Sequence, residues 1–94
     1  MINRKEYSYE LIEKNEIINR LKWSMAGGGV RILTKIENPN GSDKLMKRFI
    51  EDCKEEDRTI LPLSIIGQEY FEKHLGEVGI LKSLDVAFIK EQWH

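Results

Sequence analysis

Ninety-four residues carry 15 Lys plus Arg against 16 Asp plus Glu, a formal net charge of −1, with 40% hydrophobic and 33% charged content. A chain of this size closes one modest core and a single domain, which excludes a multidomain enzyme. The balanced charge lacks the footprint of a dedicated nucleic-acid binder, and no apolar run approaches the ~20 residues that cross a bilayer.

The first residues, Met-Ile-Asn-Arg-Lys-Glu-Tyr, are not followed by the apolar block of a secretory leader. Cys53 is the single cysteine and cannot form an intrachain disulfide, so a cytoplasmic setting, of a cell or of an infected host, is the expectation.

From Arg4 to about Met25 the residues Tyr7, Leu11, Ile18, Leu21 and Met25 recur at helical steps, which predicts a first helix. Glu10 with Lys14 and Glu16 with Arg20 stand in the favourable acid-first order along it. Gly27-Gly28-Gly29 ends that helix. Val30 to Glu37 then alternates, with Val30, Ile32, Thr34 and Ile36 on one side, and reads as a strand. Asn38-Pro39-Asn40-Gly41 predicts a turn, after which Ser42 or Asp43 caps a second helix reaching about Glu56, with Leu45, Met46, Phe49, Ile50 and Cys53 facing inward. Pro62 confines Thr59 to Leu63 to an edge strand or a loop. Ser64 caps a third helix that carries Tyr70, Phe71 and Leu75 inward and stops at Gly76. Leu84, Val86 and Phe88 alternate, which predicts a final strand from about Leu84 to Trp93. These elements add up to an α+β fold spanning 1–94, three helices packed on a small antiparallel sheet of two or three strands.

Chemistry-bearing motifs are sparse. Cys53, His74 and His94 are the soft metal ligands, and their spacing matches no metal site. Cys53 on an apolar helix stripe reads as a small hydrophobe, and His74 near a helix end suits the C-terminal dipole. Glu69 and Glu72 read as a solvated face. The acids Asp52, Glu55, Glu56 and Asp57 end the second helix against its dipole, either as a solvated run or as a surface for a basic partner. Lys44, Lys47 and Arg48 form a basic patch, but Asp43, Glu51 and Asp52 interrupt it, which argues against nucleic acid. No catalytic residue, cofactor motif or metal site is identified.

Two features remain. Gly27, Gly28 and Gly29 resemble the backbone cradle of an anion, except that a phosphate loop precedes a helix and this one follows one. With Lys22, Arg31 and Lys35 they make a candidate loop for a nucleotide-like anion. On the first helix, Tyr9, Ile12 and Trp23 lie away from the inward stripe, and Tyr and Trp are favoured interface anchors, so these residues together with Trp93 form a candidate protein interface. The reading that follows is a small non-catalytic inhibitor, adaptor or regulator that binds a protein partner and self-associates, most simply as a homodimer, with no membrane contact. Virus-encoded inhibitors of host defence share this size, an analogy of size alone. The alternative is a small-ligand binder or sponge for a nucleotide-like anion at Gly27–Gly29.

Overall fold

The computed structural model describes residues 1–82, so the expected strand at 84–93 and Trp93 lie outside the described residues. In chain order the elements are β1 (Ile2–Arg4), β2 (Ser8–Glu13), β3 (Glu16–Ala26), a 3-10 turn at Gly27–Gly29, β4 (Val30–Ile36), α1 (Ser42–Glu55), β5 (Thr59–Pro62), α2 (Ile65–Lys73) and a 3-10 segment at Leu75–Ile80. The strands form one five-stranded sheet in the order β1-β2-β3-β4-β5. The first four pair antiparallel, and β5 joins β4 in parallel after the crossover through α1. Among the described residues no helix is long and apolar enough to cross a membrane.

The expected first helix is instead the β2–β3 hairpin and its flanks. Lys14 and Asn15 have φ of 52° and 64°, the two left-handed positions of a type I′ turn, which joins strands whose own twist it matches. Residues from Tyr9 to Trp23 then follow period two. Tyr9, Leu11, Leu21 and Trp23 are buried on the sheet's inner face, against α1, while Glu10, Arg20 and Lys22 lie on the outer face. Tyr9 and Trp23 are 0% and 6% exposed, so the proposed interface through them does not exist as an outer helical stripe; Ile12 is half-buried beside the turn.

The second helix is as expected. Leu45, Met46, Phe49, Ile50 and Cys53 are all buried on α1, and the ring of Phe49 lies 5.8 Å from that of Tyr9 and 6.2 Å from that of Trp23. Its start differs, because Gly41 and not Ser42 or Asp43 is the N-cap residue. Gly41 has a φ of 72°, and a Cβ there would collide with the Leu11 side chain. On α2, Ser64 caps as expected, its side chain accepting from the Gly67 backbone N–H, and Tyr70 and Phe71 face inward. Leu75 does not; it follows the helix and is 71% exposed. Gly67 lets α2 approach β4 closely, since a Cβ there would collide with Leu33.

Two of the four acids at the end of α1, Asp52 and Glu56, are engaged within the fold, while Glu55 and Asp57 are exposed. Glu56 receives two hydrogen bonds from Arg4 (2.7 and 3.1 Å) and one from Arg31 (2.7 Å). Asp52 accepts from the buried Tyr9 hydroxyl at 2.7 Å and pairs with Arg4 and Arg48. The guanidinium of Arg31 is itself buried, 4.5 Å over the Trp23 ring, with one nitrogen 3.6 Å from Cys53 Sγ. Two arginines from β1 and β4 thus anchor the C-terminal end of α1 and offset the mismatch of Glu56 with the helix dipole.

Phe49→Ala and Trp23→Ala should each lower unfolding stability by about 3 to 5 kcal/mol in urea titration, because each empties a closed part of the core. Stability unchanged by Trp23→Ala would overturn the inward placement of β3. The hydrogen bonds from Arg4 and then Arg31 hold the Glu56 carboxyl down from 4.5 to about 2. A carboxylate depressed in the folded state contributes stability above its unfolded pKa and loses it as pH falls towards the folded one. The urea midpoint should therefore fall between about pH 4.5 and pH 2, and Glu56→Gln should flatten that part of the profile.

Candidate functional site

The β4–β5 pair sets the site. Pairing runs from Val30↔Thr59 to Leu33↔Pro62 and stops, while β4 continues to Ile36. Two local causes part the strands. At Pro62 the ring fixes φ and stiffens β5 where its pairing ends. On the other side of β4, Lys22 opposes Lys35 and Trp23 opposes Leu33, which leaves Thr34 as the extra residue of a β-bulge, its hydroxyl donating to the Lys22 carbonyl at 3.0 Å. A bulge bends its strand, and here the bend falls where β5 ends. Leu63 and Ser64 donate their N–H groups to the single Leu33 carbonyl (2.9 and 3.1 Å), and the chain turns away into α2.

Because β4 and β5 are parallel, both following helices start at this same edge. A mouth of about 330 Å3 opens there, lined by Thr34, Lys35, Ile36 and Leu63 to Ile66. Ile66 also lines an adjoining cleft of about 370 Å3 between the first turn of α1 (Gly41 to Lys44) and the inner side of α2 (Glu69, Tyr70, Lys73). Crevices at the carboxyl ends of parallel strands, facing helix N-termini, are where α/β sheets take ligands.

The two helix ends differ electrostatically. Ser64 occupies a first-turn amide of α2, whereas Gly41 offers α1 no side-chain acceptor. The Ser42 hydroxyl is turned away, donating to the Pro39 carbonyl at 2.9 Å. The positive end of α1 therefore faces the cleft with Lys44 and Lys73 beside it and Asp43 and Glu69 as the opposing charges. Tyr70 lines the same wall, and burial raises its hydroxyl pKa, so it stays protonated near neutral pH.

The loop entering α1 is held from below by Asn19, which is 1% exposed. Its Nδ2 donates to the carbonyls of Asn38 (2.8 Å) and Asn40 (2.7 Å), and its Oδ1 accepts from the N–H of Arg20 (2.9 Å) and Asn38 (3.2 Å). One buried amide with every hydrogen-bonding group used fixes where the cleft's floor lies. Sequence reading passed over Asn19, since a lone Asn inside a supposed helix carries no signal; its place among alternating apolar residues of a strand would have been the clue.

The proposed anion loop is not assembled. Gly27–Gly29 form the turn of the β3–β4 hairpin, Arg31 is buried on the inner sheet face and bound to Glu56, and Lys22 and Lys35 are exposed on the outer face. Gly29 instead lies against Asp57 and Arg58 at the start of β5. Cys53 is buried under α1, and burial pushes its thiol pKa up despite the opposing pull of Arg31. His74 ends α2, its ring stacked 4.0 Å from that of Tyr70 and its Nδ1 2.9 Å from the Tyr70 carbonyl oxygen. Among the described residues no group of His, Cys, Asp and Glu could hold a metal ion.

No protein-family model and no curated protein matches the chain. Among solved structures it is similar to a Staphylococcus aureus protein whose NMR solution structure is titled a "GCN5-like putative N-acetyltransferase", at a TM-score of 0.71 and 13% identity over 87% of each chain. At that identity the likeness is one of fold: a mixed five-stranded sheet with two main helices, in place of the expected three helices on two or three antiparallel strands.

Proposed function

We propose that the cleft binds an acyl group carried as a thioester on coenzyme A and that the protein passes this group to an amine nitrogen of a second molecule. The observation that carries the reading is the parting of β4 and β5 at Thr34 and Pro62, which opens a mouth directly beside the uncapped end of α1. Coenzyme A is a general acyl carrier. Its phosphates suit the positive end of the α1 dipole with Lys44 and Lys73, and its uncharged arm suits the mouth, where Leu63, Ile65 and Ile66 supply apolar wall. The similar fold of a protein titled an N-acetyltransferase supports the same reading.

In the transfer a C–N bond forms as the C–S bond breaks; the amine gives up a proton and the sulfur leaves as a thiol. Among the described residues the cleft offers no activated nucleophile to carry the acyl group in between. Ser42 and Ser64 use their hydroxyls on the backbone, and the Cys53 thiol is buried and kept protonated. That favours direct transfer between two bound substrates, with orientation as the protein's main contribution. Tyr70 forms part of the cleft wall, and burial keeps its hydroxyl protonated.

A non-catalytic role is the second reading, as an inhibitor, adaptor or regulator bound to a protein partner or to a second copy of the chain. It is favoured by the apolar side chains of Leu63 and Ile65, 56% and 71% exposed beside the mouth. Its contact surface would then be this edge, in place of Tyr9 and Trp23.

Acetyl-coenzyme A titrated into the protein by calorimetry should give saturable binding, and amide shifts in NMR should cluster at 41–44 and 63–70. Asp43→Asn removes the charge opposing the α1 dipole and should tighten binding about two- to fivefold, as expected for ~0.3 to 1 kcal/mol at a helix end. Ile66→Trp should fill the junction of cleft and mouth and weaken it. No binding by the wild-type protein would overturn the acyl-donor reading, and binding without transfer to any of a panel of amines would decide for the non-catalytic one.

A further inference from the structure

The outer face of the sheet carries an unusual pair. Lys22 and Lys35 are direct cross-strand partners, and both are exposed. Their neighbours Leu21, Trp23, Leu33 and Ile36 point inward, so both ammonium groups project from the outer face. Directly opposed residues hold their Cβ atoms about 5 Å apart, and like charges so placed destabilise a sheet. Acids are present on this face but are already engaged. Arg20 pairs with Glu10 (3.5 Å) and Glu37 (3.4 Å), and Glu10 is held further by Lys5 (3.7 Å) and Asn3 (3.2 Å). Neither Lys22 nor Lys35 has an ion-pair partner among the described residues. Two lysines opposed across the ladder and left without an acid make a local positive site on this face.

Position gives the pair a use. Lys35 lines the mouth between β4 and β5, and the bulge at Thr34 is what returns Lys35 to the outer face opposite Lys22. We propose that Lys22 and Lys35 dock an acidic polypeptide whose carboxylates lie across the outer sheet face and whose amine reaches the mouth, so that the acyl acceptor is an amine flanked by acidic residues. The mouth end of this assignment rests on the acyl-transfer reading; the docking of carboxylates does not. A nucleic-acid strand fits less well. The outer positions next to the lysines are Ser8, Ser24 and Ile32, with no aromatic platform for bases.

The test is equilibrium binding by fluorescence anisotropy. The probes are a free-amine peptide of alternating Gly and Glu labelled at its C-terminus, the same peptide with Gln for Glu, and an oligothymidylate of equal charge. Two exposed ion pairs predict that the wild-type protein prefers the Glu peptide over the Gln peptide by roughly five- to tenfold at low ionic strength. That preference should shrink at about 0.15 M salt. It should vanish in Lys22→Ala/Lys35→Ala and persist in Lys22→Arg/Lys35→Arg. Lys35→Glu gives Lys22 an internal partner and should remove the preference while keeping or raising the melting temperature, which separates lost docking from lost folding. Equal affinity for the two peptides, or a preference unchanged by the double alanine variant, overturns the proposal. Tighter binding of the oligothymidylate overturns it in favour of a phosphate-binding face. Acetyl-coenzyme A binding is measured on the same samples; its absence with the peptide preference intact would remove the acyl-transfer reading and leave the docking surface standing.

Discussion

One extra residue in β4 organises this protein. With Thr34 bulged out of the ladder to β3, the strand bends away from β5 at the point where Pro62 ends the parallel pairing. The same residue rotates the register, so that Leu33 and Ile36 both reach the core with two residues between them, where strict alternation would send one of them outward. The bend of β4 at the opening and the exposure of Lys35 follow from it, while the parallel pairing of β4 and β5 brings both helices to the same edge. Asn19 completes the arrangement from beneath, converting the loop between β4 and α1 from a mobile connection into a fixed floor.

The helix α1 is polarised by its surroundings. At its C-terminal end two arginines, from β1 and β4, surround Glu56, and Asp52 takes the Tyr9 hydroxyl together with Arg4 and Arg48. Removing one member of such a network leaves a buried charge uncompensated, as for Arg31 beneath the helix. At the N-terminal end Gly41 gives no side chain to close the first turn. Structural charge pairing is concentrated at one end of the helix, while the other presents the positive end of the dipole with no side-chain cap, which is why the cleft, and not the acidic cluster, is the place to look for a ligand.

The helical reading of residues 4–25 failed for an identifiable reason. Tyr7, Leu11, Ile18, Leu21 and Met25 fit helical spacing by coincidence, and the acid-first charge pairs reinforced it. The period-two pattern of Tyr9, Leu11, Leu21 and Trp23 was obscured by two departures: polar Asn19 occupies an inner position, and the shift between Leu11 and Ile12 breaks the register of the hairpin. The supposed second apolar face of a helix was half of the inner face of a sheet. By contrast α1 and the cap of α2 were legible, because their apolar stripes and turn residues are local and mutually consistent.

By itself the sequence determined the elements whose causes lie within a few residues: the inward stripe of α1, the extended run of Val30 to Ile36, the limit that Pro62 sets on β5 and the Ser64 cap. It did not give the inward side of β4: Val30, Ile32, Thr34 and Ile36 do not share one, because the bulge at Thr34 breaks the alternation and Arg31, Leu33 and Ile36 turn to the core. Tertiary structure alone decided the rest. Whether Tyr9 and Trp23 face a core or a partner depends on Phe49 packing on them from 26 or more positions away in the chain. Whether Arg31 meets a ligand or Glu56 depends on the crossover that lays α1 over β4. Whether Lys22 and Lys35 sit together depends on a one-residue register shift. Each is a long-range pairing, set by which surfaces can be buried at once, and no local pattern encodes that choice.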